Sequence, residues 1–262
     1  MATQRTIRSY IYRSIALSKR LESITGPKAN RKKNILVGFG FLVRNRRLAQ
    51  AVSQLSNQYA YEKRILIRSM VEIHITYAWI RLRNTENRAN RFIKFIPLEK
   101  LKILKDLKAS GLITSDEYRI KLREYINRRT KVRHLFRNQI NRGKNKGKLK
   151  WDGNWASGAS LESMLEEVLK SETGKYDSFL YTLYRWFSST VHGGPISLDD
   201  VLEPDRPLRA KQHPESNPTS HLKGAFVVLL ATIEALAKSS NTIKDLEPEI
   251  SKLQSALNGL RN

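Results

Sequence analysis

From Ile65 to Ile80 apolar residues fall on nearly every side of a helical projection, with Arg68, Glu72 and His74 set among them. Helices of that kind are surrounded by protein. Such a segment demands partner helices, and the rest of the chain supplies them. Glycine and proline number only 13 and 8, and no strand-like alternation punctuated by hairpin turns recurs. The pattern predicts an all-α fold, a helical bundle with a basic helical and loop elaboration.

Helices are expected over about Thr6 to Ser23, closed by Gly26-Pro27, and over about Gln50 to Arg83 with a break near Ser53–Gln58. Further ones are expected over Leu98 to Lys108, with Pro97 in the first turn and Gly111 as the stop, and from a Ser115 cap onward. A longer helical stretch after Arg31-Lys32-Lys33, weakened at its start by Gly38 and Gly40, together with Leu161–Lys170, Tyr176–Val191, Ser220–Ser240 and Leu246–Leu260, completes the set. Residues 203–219 hold four prolines and predict a loop. The expected organisation is one domain over 1–262: basic N-terminal helices in 1–60, a core bundle from 61–110 and 155–262, and a basic helix with a flexible loop in 115–150.

The net charge of +24 is lopsided. Residues 1–150 carry 37 Lys/Arg and 9 Asp/Glu, whereas residues 151–262 carry 11 and 15. The densest stretch, Arg119 to Lys150, has 13 basic residues and one acid, Glu124. A field so directed opposes compaction unless a polyanion relieves it. The candidate nucleic-acid-binding residues are Arg119, Arg123, Arg128, Arg129, Lys131, Arg133, Arg137, Arg142, Lys144, Lys146, Lys148 and Lys150, with Arg31, Lys32 and Lys33 as a second cluster. Nucleic acid, with RNA the favoured kind, is the expected partner, and an anionic membrane surface the second choice. Tyr125, Phe136, Trp151 and Trp155 interleave with these cations as stacking candidates, with core packing the expected role of Phe136.

Several chemistries are excluded. The chain has no cysteine, which removes disulfides, thiolate metal sites and cysteine nucleophiles. No apolar run approaches a bilayer span of about 20 residues, and the first residues lack the apolar stretch of a secretory leader. A soluble, cytoplasmic protein is expected. His134, His213 and His221 are scattered, so no metal is expected; Gly38-Phe39-Gly40 lacks the features of a phosphate loop, and no cofactor is expected.

Two helices can carry chemistry. Arg68 and Glu72 lie four residues apart and share a face, so they either pair internally or line a polar pocket. Tyr184, Ser188 and His192 recur at four-residue intervals, and Arg185 lies seven before His192, giving one polar edge that stops at Gly193-Gly194-Pro195. The negative helix end favours imidazolium at His192. A C-cap role is the structural alternative for that histidine, and His74 reads as a core residue.

The order Arg68-Ser69-Met70-Val71-Glu72, then Asn154-Trp155-Ala156-Ser157-Gly158, then Tyr184-x3-Ser188-x3-His192-Gly193-Gly194-Pro195 resembles an uncharacterised bacterial all-helical family of unknown function over roughly residues 60–200. That resemblance implies a fold and no activity. Arg185-x6-His192 is distantly similar to the HEPN superfamily of helical ribonucleases and nucleotide-binding domains. This second resemblance implies metal-independent RNA cleavage, usually at a dimer interface, in a toxin or phage-defence effector restrained by an antitoxin or other regulatory partner. It makes His192 the acid or base and Arg185 the phosphate-charge stabiliser, with Tyr184, Ser188, Arg68 and Glu72 around them. Trp186 departs from the small polar residue that the superfamily favours after the arginine. The alternatives are a non-catalytic nucleic-acid-binding or ribosome-associated protein, and a partner-binding regulator.

Overall fold

A computed structural model describes residues 3–139, 148–151, 154–171, 180–185, 202–203, 206–210 and 218–260. In chain order the elements begin with α1 (Gln4–Ala29), α2 (Lys33–Gln54), a 3-10 turn (Asn57–Tyr59) and α3 (Ala60–Leu82). They continue through α4 (Thr85–Ala109), α5 (Ser115–Phe136), β1 (Arg137–Gln139), β2 (Leu149–Trp151) and α6 (Leu161–Leu169). Residues 180–185 are helical. β3 (Leu202–Glu203), β4 (Arg206–Ala210), α7 (Pro218–Ser239) and α8 (Ile243–Gly259) follow. The fold is an all-α bundle, with two short antiparallel strand pairs as its only described sheet.

The chain divides into two compact units rather than the one domain expected: residues 1–83 with 161–262, and residues 84–160. In the first unit α1, α2 and α7 pack on one another, α3 packs on α2, α6 and α7, and α8 packs on α1 and α7. The basic N-terminal helices, expected beside the core bundle, are therefore part of it. Their apolar stripes explain why: Ile7, Ile11, Leu21, Leu42 and Val52 are fully buried. Contacts fix the directions. Tyr10 stacks on Phe226 and Lys28 donates to the Ser240 carbonyl, while His74 meets Thr232 and Arg64 meets His221. Thus α1, α3 and α7 run parallel and start at one end of the bundle.

Two close fits fix the packing. Gly38 of α2 faces the ring of Tyr77 on α3, and a Cβ there would lie 2.3 Å from Tyr77 Cζ. Only a residue without a side chain permits that approach. Below it, Asn45 Nδ2 donates to the Met70 carbonyl (3.3 Å) and to Thr232 Oγ1 (3.0 Å). Thr232 gives its own proton to the Val228 carbonyl, so His74 Nδ1, 3.2 Å away, donates to the same oxygen. Burial and the charge of Arg81 hold the His74 pKa down at about 4, and the ring is a neutral core group.

The segment Thr219–Ser239 is long and apolar enough to cross a membrane, contrary to the expectation that no such run exists, and 89% of its apolar window is buried in the bundle. Other boundaries differ from expectation for packing reasons. α1 continues through Gly26-Pro27 because Thr25 and Ala29 are buried, and α4 continues through Pro97 because Ala89 and Phe95 anchor turns ahead of it. Residues 203–219, expected as a loop, include part of the β3–β4 pair.

In the second unit, α4 and α5 form an antiparallel hairpin around Phe95, Leu98, Val132 and Phe136, with Leu135, Trp151 and Trp155 packed against them. α4 belongs here rather than to the core bundle that was expected to hold it. Gly111, at φ +73°, ends α4 as expected, with Gly111 N–H donating to the Lys108 carbonyl and Leu112 N–H to that of Leu107. Thr114, not Ser115, caps α5: its hydroxyl accepts from Glu117 N–H while the Glu117 carboxylate accepts from Thr114 N–H. After α5, β1 pairs antiparallel with β2, placing Arg137 opposite Trp151. The stretch expected as helix followed by loop thus contains a two-stranded ladder.

Candidate functional site

α3 carries Arg64, Arg68 and Glu72 four residues apart, so the three follow one flank of the helix. Arg68 is buried and its Nε donates to Glu72 Oε1 at 2.8 Å. The Tyr184 ring lies beneath the Arg68 guanidinium, with 5.6 Å between Cζ and the ring centroid. One turn earlier, Arg64 Nε donates to His221 Nε2 at 3.3 Å, joining α3 to the start of α7. An arginine Nε–H is always a donor, so His221 Nε2 accepts and its ring proton resides on Nδ1. Burial and the charges of Arg64 and Lys63 press the His221 pKa down to about 4. His221 is neutral at physiological pH.

Three of the six expected catalytic residues, Arg68, Glu72 and Tyr184, therefore meet. Arg185 does not join them. Successive helical residues differ by about 100° in azimuth, so Tyr184 faces α3 while Arg185 is exposed and donates from Nη1 to Tyr181 Oη at 2.9 Å. That neighbour raises the guanidinium pKa further above its already high value. Ser188 and His192 lie outside the described residues. Sequence reasoning missed Arg64 and His221. The available signal was Arg64, one turn before Arg68 on a helix otherwise apolar all round; nothing in the sequence pairs it with His221.

The expected nucleic-acid interface falls largely in the second unit. Along α5 the partly or fully buried residues are Tyr118, Leu122, Tyr125, Arg129, Val132, Leu135 and Phe136. Arg119, Arg123, Arg128, Lys131 and Arg133 are exposed, as are Arg137 after the helix and Lys148 before β2. Arg119 pairs with Asp116, and Arg128 with Glu124 at 2.8 Å. Both pairs are solvated and weak. Arg129 and Arg137 lie against the Trp151 ring, 5.0 and 5.9 Å from its centroid, so this tryptophan is flanked by guanidinium groups. Phe136 is fully buried, in agreement with a core role. Lys150 pairs through its backbone in β2, while Arg142, Lys144 and Lys146 lie outside the described residues. Arg31, Lys32 and Lys33 are exposed in the first unit, between α1 and α2.

The Asn154–Gly158 motif has a structural task. Asn154 Oδ1 accepts from Gly158 N–H at 2.9 Å and Nδ2 donates to the Ala159 carbonyl, closing a loop in which Gly158 adopts φ +93°. Arg91 of α4 then fastens that loop. It donates to the carbonyls of Trp155 and Leu135 and to Ser157 Oγ, and lies 4.7 Å from the centre of the Phe136 ring. Among the described residues, no cluster of three or more His, Asp or Glu side chains is arranged to hold a metal.

A model of a family of unknown function, DUF5677, matches residues 35–207, most of the chain. The chain belongs to the DUF5677 family. The matched span begins at the third residue of α2 and ends within β4, so it includes α3, the α4–α5 hairpin and the Asn154 loop. It stops short of α7, which supplies His221 and Thr232 to the bundle. No curated protein and no solved structure matches the chain.

Proposed function

We propose that this protein binds RNA through the surface of α5 and the β1–β2 hairpin. The observation that carries the reading is the division of α5 into a packed flank and a solvent side on which Arg119, Lys121, Arg123, Arg128, Lys131 and Arg133 outnumber Asp116, Glu117 and Glu124. A helix that serves only to cover a core has no need of so many cations, whose mutual repulsion opposes folding. A phosphate backbone relieves that repulsion and releases counterions on binding. The arginine-flanked Trp151 adds a stacking group beside the phosphate contacts. Fluorescence anisotropy with labelled single-stranded RNA, repeated against duplex DNA and across a salt series, tests the reading. Binding that ignores salt, or that survives removal of the α5 cations, contradicts it.

A second reading adds catalysis, in the manner of HEPN ribonucleases acting as toxin or defence effectors. It is favoured by exposed Arg185 standing one residue from the Arg68–Glu72–Tyr184 constellation. In that scheme His192 takes the 2′-hydroxyl proton or protonates the leaving oxygen, and Arg185 stabilises charge on the scissile phosphate. Cleavage without added metal, leaving cyclic phosphate ends and lost in His192→Ala while RNA binding persists, supports it. Cleavage blocked by chelators, or unchanged in that variant, contradicts it and leaves a non-catalytic RNA-binding protein.

A further inference from the structure

Helices α1 and α8 run antiparallel and leave a groove between them. The direction of α8 follows from its ends: it leaves α7 through a short turn, and Lys223, near the start of α7, donates to the carbonyl of Leu260 just past the end of α8 at 2.7 Å. The groove holds a cavity of about 480 Å³, within the span of about 300–1,000 Å³ common to small-molecule sites. Its floor is aliphatic. Leu17 and Leu253 are buried there, and Ala16 and Ala256 beside them are too short to fill the space between the helices. Both ends are closed. Arg20 of α1 pairs with Glu249 of α8 and also donates to the Asp245 carbonyl at 3.4 Å, which bars one end. Tyr10, its ring 5.7 Å from that of Phe226, stands at the other. Tyr10 and Arg20 are about 15 Å apart along the helix, which sets the length of the groove. Between the ends, exposed Arg13 of α1 and exposed Lys252 of α8 line the two rims. By the register of the Arg20–Glu249 pair they lie about one helical turn apart. Glu249 is taken by Arg20, and neither Arg13 nor Lys252 has an ion-pair partner among the described residues.

We propose that this groove binds a medium-chain fatty acid, with the chain along Leu17 and Leu253 and the carboxylate between Arg13 and Lys252. An aliphatic floor rewards a hydrocarbon body and offers a polar one nothing to bond. The closed ends limit the length of the occupant and exclude a helix, about 10 Å wide, laid through the groove. The two free cations on the rims complement an anionic head, and the arginine fork suits a carboxylate. The site lies in the first unit and rests on nothing in α5, so it and RNA binding can fail separately.

The test is isothermal titration calorimetry of the full-length protein with octanoate, decanoate and octanol at constant ionic strength, each below the concentration at which it self-associates. Decanoate saturates one site per chain and binds more tightly than octanoate, by up to about fourfold for each added methylene. Octanol binds more weakly than octanoate. Arg13→Gln combined with Lys252→Gln lowers decanoate affinity by about tenfold, the worth of two solvated charge contacts, and leaves octanol unchanged. Ala16→Phe, at an exposed position, and Ala256→Phe, at a half-buried one, fill the floor and abolish binding of all three, and Ala16→Phe does so at an unchanged melting temperature. Lys244→Gln, on exposed α8 outside the cavity lining, retains full affinity. No saturable heat, equal affinity for octanol and octanoate, undiminished binding in Ala16→Phe, or loss in Lys244→Gln overturns the site. Anionic phospholipid vesicles that bind the parent but not the Arg13→Gln, Lys252→Gln variant overturn the free acid in favour of a membrane surface.

Discussion

Arg64 Nε and His221 Nε2, 157 residues apart in the chain, meet at 3.3 Å inside the bundle and join α3 to α7. The contact requires an unprotonated His221 Nε2, and the low pKa of His221 keeps it so at neutral pH. His74 is a second neutral buried histidine, bonded to Thr232 on the same helix.

Both histidines make stability depend on pH. Their folded pKa values, about 4, lie below the ordinary 6.5. Above about pH 6.5 neither state binds the proton and stability is flat. Between 6.5 and 4 the unfolded chain binds protons that the folded chain refuses, so stability falls as pH falls, by about 1.4 kcal/mol per pH unit for each histidine. Urea unfolding of the parent and of His221→Asn, followed from pH 8 to 4.5, checks this. The parent loses stability faster below pH 6.5, and parallel curves contradict the assignment.

Gly38→Ala drives a methyl group into Tyr77, which is fully buried and has no room to retreat. Overpacking of this kind costs about 1–3 kcal/mol. A clear drop in the urea midpoint is expected, with little change in RNA affinity. An unchanged midpoint contradicts the close approach of α2 and α3.

Arg91 fastens the Asn154 loop and the end of α5 to α4 by three separate acceptors. Arg91→Lys keeps the charge but loses the planar fork. The second unit is expected to lose about 2–3 kcal/mol by the hydrogen bonds forgone. Hydrogen exchange reads this locally: amides of α5 and β1 exchange faster while those of α3 do not. Uniform protection across both units contradicts the role given to Arg91.

Glu72→Gln takes the charged acceptor from Arg68 Nε and leaves the arginine buried against Tyr184. Glu72 itself is partly exposed, with 37% of its side chain accessible, so solvent softens the loss to about 1–2 kcal/mol. Thermal unfolding measures it. A gain in stability contradicts the pairing.

The fold class was legible because helical periodicity and scarce glycine and proline agree along the chain. The all-round apolar character of Ile65–Ile80 foretold a central helix, and α3 packs against α2, α6 and α7. Helix ends were less legible where tertiary burial overrides local signals, as at Pro27 and Pro97. The pairing of Arg68 with Glu72 follows from i,i+4 spacing alone. Pairing across α3 and α7 is long-range and leaves no periodic trace, so Arg64–His221 was invisible. The Asn154 motif was visible as a pattern, but its meaning needed the φ of Gly158 and the reach of Arg91.

The central claim is that cations on α5 engage the phosphates of RNA. The direct measurement is the salt dependence of RNA affinity for the parent and for a combined Arg123→Gln, Lys131→Gln, Arg133→Gln variant, all at exposed positions. For single strands, log affinity falls linearly with log salt, with a slope of about −0.7 per phosphate engaged. The account predicts a steep parent slope and a variant slope shallower by about 2, with the fold and melting temperature preserved. Equal slopes for the two proteins, or no RNA binding by the parent at low salt, contradict it.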